Sequence, residues 1–442
     1  MKNLDLSLGR SHTGEAKIKS VYFIGIGGIG ISALAKFAKV RGMEVSGVND
    51  EEGKTVDSLK ELGINVMSRG TLDTEKDLPE ADLYVYSDAW IHRGPEILEM
   101  ARNTGKPVLS YAEALGFFVK EYKVIAISGT HGKTTTTAMV AEILTDAGFD
   151  PTVIVGSFMK KFDPRHGGAG SNFRAGKSKY LVVEADEYNR HMLYLNPYIG
   201  AITNIEADHL DCYKDLDDIK NAFDKFLSQS ENKILNYKKY IEKVPKLSIP
   251  GEHNRQNAGL ALAVAEILGI DESISKKSLE NFQGTWRRLE KRGETKDGTI
   301  IYDDYAHHPT EVRASIEALR ELYPIREKKI TIVFQPHLYS RTKALFNDFA
   351  KCFKGADRII LLPIYFARED KDESISSGKL AEAICLAGEK AIAFTDFELA
   401  EEYLKGQTFG KDDVFVTMGA GESYKVAEEV FPLSTRVKLP IF

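Results

Sequence analysis

Cysteine is scarce in this chain of 442 residues: Cys212, Cys352 and Cys385 are the three, and none forms a CxxC spacing. That argues against a disulfide framework and a thiolate zinc site, and predicts free thiols in a reducing compartment. No run approaches the roughly 18 consecutive apolar residues of a membrane span. The polar start Met1–Lys19 lacks the apolar core of a secretory signal and reads as a loose tail. Internal repeats and low-complexity tracts are missing too. Nor is there an excess of positive charge. The 59 basic and 65 acidic residues leave a net charge of −6, a poor basis for nonspecific nucleic-acid binding. These absences predict a cytoplasmic protein that engages neither nucleic acid nor membrane, and that takes anionic ligands through local sites.

Hydrophobic residues make up 43% and charged residues 28%, an ordinary globular balance. The length exceeds what one hydrophobic core fills, so two or three domains are expected. Short apolar runs at Val21–Ile24, Val124–Ile127, Tyr180–Val183, Gly200–Thr203, Ile330–Phe334 and Arg358–Leu362 alternate with amphipathic helical stretches. That alternation predicts α/β domains with mainly parallel sheets. Three sections suggest themselves: 1–117, opening with a glycine-rich turn; 118–291, holding a phosphate loop; and 292–442, after a charged, glycine-containing break at Arg292–Gly298.

The strongest local signal is KVIAISGTHGKTTTTAM, residues 123–139. An apolar strand runs into Gly129-Thr130-His131-Gly132-Lys133-Thr134-Thr135 and then into a helix. Triphosphate binding needs that order. Glycines let backbone N–H groups approach phosphate oxygens, and the helix N-terminus adds positive potential. Lys133 can reach the β- and γ-phosphates, and Thr134 can bind Mg²⁺. The loop is shorter than the usual GxxxxGK[ST], because Ile127 stands where the first glycine would be.

Two acidic strand ends follow. Tyr180–Asp186 reads as a buried strand ending in Glu184-Ala185-Asp186-Glu187, and Gly200–Asn204 is followed by Glu206, Asp208, His209 and Asp211. Alone, either is a solvated acidic turn. Beside a phosphate loop, carboxylates at the carboxyl ends of parallel strands become a candidate Mg²⁺ site. The first section holds Gly25-x-Gly27-x-x-Gly30 between a strand and a helix, with Asp50 at the distance of a ribose contact. By itself that turn also fits a nicotinamide-dependent oxidoreductase. One chain carrying both this turn and an ATP loop fits better a ligase with a nucleotide-linked substrate, the glycines facing its diphosphate.

Taken together, GIGGIGISALA, SGTHGKTTTT, EADE, TNIEADHLD, PGEHNRQNA, FQGTWRRLE, DDYAHHPTEV, FQPHLYSRT and MGAGE resemble the Mur ligases in order and spacing, from about Lys19 to Ala427. The resemblance implies three domains: an N-terminal Rossmann-like domain for a UDP-sugar, a central P-loop ATPase-like domain, and a C-terminal Rossmann-like domain for an amino acid. It implies ATP as co-substrate, Mg²⁺, and an acyl-phosphate intermediate. FQPHLYSRT is similar to the branch that adds L-alanine to UDP-N-acetylmuramate; the branch that reattaches a whole tripeptide is the alternative. A monomer or weak homodimer is expected.

Carried over, the resemblance makes Lys133 the residue that stabilises the transferred phosphoryl group. Thr134 and Glu184 would hold Mg²⁺, and His209 a second Mg²⁺. Gly129, Thr130, His131, Gly132, Thr135, Asn254, Asn257, Arg288 and Asp304 would serve ATP. Gly25, Gly27, Gly28, Gly30 and Ser87 would lie at the UDP-sugar, and His308, His337 and Arg341 at the amino acid. Plainer roles stand beside these. Asn254 and Asn257, three apart at a helix start, suit an N-cap. Asp303-Asp304 with His307-His308 suggests a metal cluster, but neighbours on a strand face opposite ways and chelate together poorly. The chain departs from the family pattern at Val48-Asn49-Asp50, Ser87-Asp88-Ala89, Tyr188-Asn189-Arg190 and Leu338. Those departures touch UDP-sugar and amino-acid contacts rather than the ATP chemistry.

Overall fold

The computed structural model describes residues 18–71, 78–162, 170–209, 212–366, 369–432 and 436–437. Residues 1–17 of the expected tail, and Asp211, lie outside the described residues. Among the described residues the strands form three sheets, and the chain divides into two compact units.

The first unit spans 1–245 and 257–279 and contains two of the sheets. Strands β1 (Ser20–Ile24), β2 (Glu44–Asn49), β3 (Asn65–Ser68), β4 (Leu83–Tyr86) and β5 (Val108–Ser110) lie in the order β3-β2-β1-β4-β5, all parallel. The order reverses beside β1, which puts a crevice at the carboxyl ends of β1 and β4. The helix that follows β1, Ile29–Val40, is buried continuously from Ile31 to Ala38. A helix covered on all sides lies between two layers. This one packs against its own sheet and against the next.

That second sheet is built from β6 (Lys123–Ser128), β7 (Thr152–Met159), β8 (Ser171–Arg174), β9 (Tyr180–Glu184), β10 (Ile199–Ile202) and β11 (Asn232–Ile234). Its order is β11-β10-β6-β9-β7-β8, parallel except for β8 at one edge. Strand β6 is central and reads as an unbroken apolar run because both its faces are covered. One hydrophobic core joins the residues of both sheets, including Phe23, Phe37, Phe118, Phe173 and Phe223.

The second unit spans 246–256 and 280–442. Its strands are β12 (Glu290–Thr295), β13 (Ile300–Asp304), β14 (Lys329–Phe334), β15 (Arg358–Leu361), β16 (Ala391–Ala393), β17 (Asp413–Met418) and β18 (Arg436–Val437). They run β16-β15-β14-β17-β13-β12-β18, with β12 antiparallel to both its neighbours and the rest parallel. Arg292, where the charged break suggests a new section, lies inside β12. Three sheets, each mainly parallel and flanked by helices, are therefore present, as the alternation of short strands and helices predicts. No described helix is long and apolar enough to cross a membrane.

Candidate active site

The phosphate loop joins β6 to the helix Lys133–Asp146. Gly129 has φ +128° and Gly132 φ +83°, a region that side chains rarely enter. Space forbids a side chain as well: a Cβ on Gly129 would stand 2.0 Å from Thr203 Oγ1, and one on Gly132 would stand 2.2 Å from Asn257 Oδ1. The segment after β10 fastens the loop. The Thr130 amide donates to the Asn204 carbonyl at 3.0 Å, and the His131 amide to Asn204 Oδ1 at 3.0 Å. Thr203 Oγ1 donates to the His131 carbonyl at 2.6 Å. Thr203 and Asn204 are thus loop supports that motif reading passed over, although both sit in the quoted TNIEADHLD.

Lys133 Nζ donates to the carbonyls of Gly129 at 2.8 Å and Thr130 at 3.0 Å, and pairs with Glu187 Oε2 at 2.7 Å. Burial alone lowers the lysine's affinity for its proton, but Glu187, Asp186 and Glu184 outweigh it and push the pKa up to about 12. Burial also works against ionised Glu187, yet Lys133 and a bond from His209 hold its carboxyl below the usual range. Asp186 goes the other way, raised chiefly by burial. Among the strand-end acids of EADE, which the sequence offers as candidate Mg²⁺ carboxylates, Glu187 is the one that pairs with Lys133.

Thr134 Oγ1 donates to Glu184 Oε1 at 2.9 Å, and the Gly156 amide donates to Glu184 Oε2 at 2.8 Å. Gly156 must lack a side chain, since a Cβ would stand 2.5 Å from that carboxylate. A hydroxyl facing a carboxylate beside a phosphate loop is the hard-oxygen donor set that Mg²⁺ takes, so Thr134 and Glu184 fit the ion. His209, with φ +54°, turns Nε2 toward Glu187 Oε1 at 3.4 Å. Its Nδ1 is buried with no hydrogen-bond partner among the described residues, a spare nitrogen lone pair or N–H. Burial lowers its pKa, but the bond to Glu187 and the nearby Asp208 raise it overall.

The glycine turn lies at the carboxyl end of β1. Gly25 has φ +80°, and a Cβ there would stand 2.3 Å from the Trp90 indole and 3.2 Å from Ser87 Cβ. The Gly27 amide donates to Asn49 Oδ1 at 3.0 Å, and a Gly27 Cβ would stand 2.4 Å from Asn49 Nδ2. A Gly28 Cβ would meet Ile31 at 3.2 Å, and a Gly30 Cβ would meet the Tyr111 ring at 3.1 Å. Ser87 therefore lies at the turn. The glycines are needed by neighbouring side chains of this chain, before any ligand is considered. Asp50 is exposed.

In the second unit, β13 ends at Asp304, whose carboxylate bonds to the Ser315 hydroxyl. Burial pushes its pKa up to about 6, against the pull of Ser315 and Arg288. Asp303 faces the other way, accepting from Arg287 Nε at 2.8 Å and Thr417 Oγ1 at 2.7 Å. The opposite facing expected of strand neighbours is observed. Buried Arg287 also donates to the carbonyls of Gly419 at 2.7 Å and Gly421 at 3.0 Å, so it organises the MGAGE turn. Arg288 is partly exposed, its guanidinium 5.0 Å from the Tyr305 ring centre.

His308 caps the helix Pro309–Leu322: Nδ1 accepts from the Thr310 amide at 3.3 Å, and Glu311 completes the box. His337 Nδ1 is 3.2 Å from Arg341 Nη1, and its ring stacks on Tyr365 with His307 edge-on, both at 5.6 Å. Arg341 is 8% exposed, which makes it a positioned cation rather than a surface one. His307, weighed from the sequence only as a metal ligand, joins this group, and so does Tyr365, which no motif singled out. Asn254 and Asn257 lie inside the helix Glu252–Ile267, past its start, so neither is its N-cap. Asn254 Nδ2 donates to the Pro250 carbonyl at 2.7 Å, while Asn257 lies against Gly132.

A lysine and a threonine opening a helix behind a glycine loop, faced by a strand-end carboxylate, define a phosphate-loop nucleotide-binding protein. Residues 20–123 match "Mur ligase family, catalytic domain", 127–247 "Mur ligase middle domain" and 287–421 "Mur ligase, glutamate ligase domain". The UDP-N-acetylmuramate–L-alanine ligase of Caldanaerobacter subterraneus subsp. tengcongensis is 37% identical, over 93% of this chain and 97% of its own. The enzyme of the same name from Clostridium acetobutylicum is 38% identical over the same shares. The chain belongs to the Mur ligase family. Among solved structures, the UDP-N-acetylmuramate-alanine ligase of Thermotoga maritima superposes with a TM-score of 0.77 at 26% identity, covering 93% of this chain and 98% of that one. A murein peptide ligase from Psychrobacter arcticus shares the fold, with a TM-score of 0.66 at 20% identity and shares of 93% and 98%.

Proposed function

We propose that this chain joins L-alanine to the carboxylate of UDP-N-acetylmuramate at the expense of ATP, in the cytoplasm, as a step of peptidoglycan precursor synthesis. The observation that carries this reading is likeness along 93% of the chain to ligases of that name. The convergence of Lys133, Thr134, Glu184 and Glu187 supports it. The substrate carboxylate attacks the γ-phosphorus of ATP, ADP leaves, and an acyl phosphate forms. The alanine amine then attacks the acyl carbon, phosphate leaves, and the amide remains.

Carboxylate and triphosphate repel each other, so charge at the loop decides the first step. The 129–135 loop offers backbone N–H groups and a helix N-terminus to the phosphates. Lys133, kept charged and beside the loop by Glu187, is the proposed cation for the transferred group. Mg²⁺ held by Thr134 and Glu184, with a second ion at His209, would neutralise phosphate oxygens when bound. His131, Asn254, Asn257, Arg288 and Asp304 are proposed for ATP, and Gly25, Gly27, Gly28, Gly30 and Ser87 for the UDP-sugar. Arg341, with His337 and His308, is proposed for the amino acid. A guanidinium that is 8% exposed is suited to a carboxylate. The boundaries 1–117, 118–291 and 292–442 are proposed for the three domains, and a monomer or weak homodimer for the assembly.

Phosphate release with UDP-N-acetylmuramate, ATP and Mg²⁺ and a panel of amines tests the reading. L-alanine should give the highest kcat/KM. Faster turnover with L-alanyl-D-glutamyl-diaminopimelate would overturn the choice of amine.

A further inference from the structure

The segment Glu187–Tyr194 leaves the carboxyl end of β9 and runs from the phosphate loop toward the N-terminal sheet. At its start, Glu187 pairs with Lys133. Next, the Tyr188 ring lies edge-on to His209 at 5.1 Å and to His191 at 6.1 Å. Asn189 and Arg190 follow with φ +49° and +58°, two successive non-glycine residues in the left-handed region. That is a costly backbone, which persists only where its surroundings over-determine it. Arg190 supplies the restraint: its guanidinium makes two bonds to Asp218, at 2.8 and 2.9 Å, and lies 4.7 Å from the Tyr213 ring centre. The strained turn delivers two donors to one atom. His191 Nε2 lies 2.8 Å, and Asn189 Nδ2 3.1 Å, from Asp88 Oδ2.

Asp88 belongs to the turn after β4. Its neighbour Ser87 donates its amide to the Ile24 carbonyl at 3.0 Å, and Trp90, two residues on, lies under Gly25. The contact therefore ties the glycine turn's floor to the segment that positions Lys133. It is not needed to hold the two sheets together. The helix Ile29–Val40 already packs against β7 and β8, and buried Lys36 bonds to Asn172 at 2.8 Å. What this contact adds is a fixed point beside the crevice, with side chains only 20% and 13% exposed for Asp88 and His191.

We infer that Asp88, Asn189 and His191 form a latch that sets the distance between the sugar-side turn and the phosphate loop, which makes Asp88 and His191 positioning residues for the first chemical step. The inference rests on the reading that the glycine turn and Ser87 take the UDP-sugar. Loosening the latch leaves each half of the site intact and misaligns the carboxylate with the γ-phosphorus.

The experiment compares Asp88→Asn, His191→Ala, His191→Gln and the double variant Asp88→Asn/His191→Ala. Amide formation, ADP formation and ATP affinity are each measured. Misplacement on the ångström scale predicts a fall in kcat of about tenfold or more. ATP affinity should be unchanged, and the double variant no slower than the worse single variant. His191→Gln, which keeps a donor, should recover part of the loss. Additive losses would overturn the latch, and so would lowered melting temperatures with kcat unchanged. A wild-type enzyme that binds no UDP-sugar overturns the underlying reading and the latch with it. A wild-type enzyme that turns over, with variants at full kcat, overturns the latch alone.

Discussion

Replacing Lys133 with methionine removes one charge and should have two separable effects. The first is on stability. Glu187 is 3% exposed, and Lys133 Nζ lies 2.7 Å from it. Breaking a buried ion pair from one side costs about 3–5 kcal/mol, because the remaining charge stays desolvated. His209 Nε2, 3.4 Å from the other carboxylate oxygen, compensates in part and places the expected loss at the lower end. The second effect is on rate. Losing one preorganised group aimed at the transferred phosphoryl costs about 10²–10³ in kcat. Lys133→Met/Glu187→Gln separates the two, since it also removes the stranded carboxylate. Urea denaturation should show the single variant destabilised and the double variant largely restored. Borohydride trapping of the acyl phosphate should find neither forming it at the wild-type rate. A double variant with wild-type acyl-phosphate formation would refute the role of the lysine. A single variant as stable as wild type would refute the account of the ion pair.

Glu142 lies buried in the helix Lys133–Asp146, and burial pushes its pKa from 4.5 up to about 7 despite Lys161. Its folded value lies above its unfolded one, so stability is undiminished below about pH 4.5, falls as pH rises toward 7 and stays lowered above, by about 3 kcal/mol at most. Glu142→Gln should therefore raise the melting temperature at pH 8 and leave it unchanged near pH 4.5; equal gains at both would refute the assignment. Gly27→Val must displace Asn49, because its Cβ would stand 2.4 Å from the amide nitrogen. Calorimetry should show weakened UDP-sugar binding with ATP binding kept, and a selective loss of ATP affinity would contradict this. Arg341→Ala removes a charge-assisted bond worth about 1.5–3 kcal/mol, so KM for the amino acid should rise roughly tenfold to a hundredfold while KM for ATP holds. An unchanged amino-acid KM in the folded variant would show that the amino-acid site lies elsewhere.

Much of this molecule is legible from local pattern. Each of the six apolar runs is a strand, give or take a residue, because burial on both faces leaves its mark within a few consecutive positions. The phosphate loop is legible for a similar reason. Gly129, Gly132, Lys133 and Thr134 must follow a strand and open a helix, and that requirement is met within a dozen residues. The opposite facing of Asp303 and Asp304 likewise follows from strand geometry alone. Other features depend on contacts that sequence spacing does not encode. Nothing near Gly25, Gly27 or Gly30 in the chain announces that Trp90, Asn49 and Tyr111 are what their missing side chains make room for. Arg287 and Arg288 are adjacent, yet the buried one is Arg287, because its guanidinium meets Asp303 and the 419–421 carbonyls from a distant strand end. His307, read from the sequence as part of a candidate metal cluster, lies instead edge-on to His337, while His308 spends its Nδ1 on a helix cap. Glu187 looked like one more acid in EADE until the fold placed it on Lys133 and His209. By itself, then, the sequence determined the order of strands and helices and the chemistry of the loop, because backbone sterics and hydrogen bonding act between near neighbours. Which charges are buried, which glycines are obligatory and which polar side chains meet were decided only by the tertiary structure, because those depend on close approach between residues far apart in the chain.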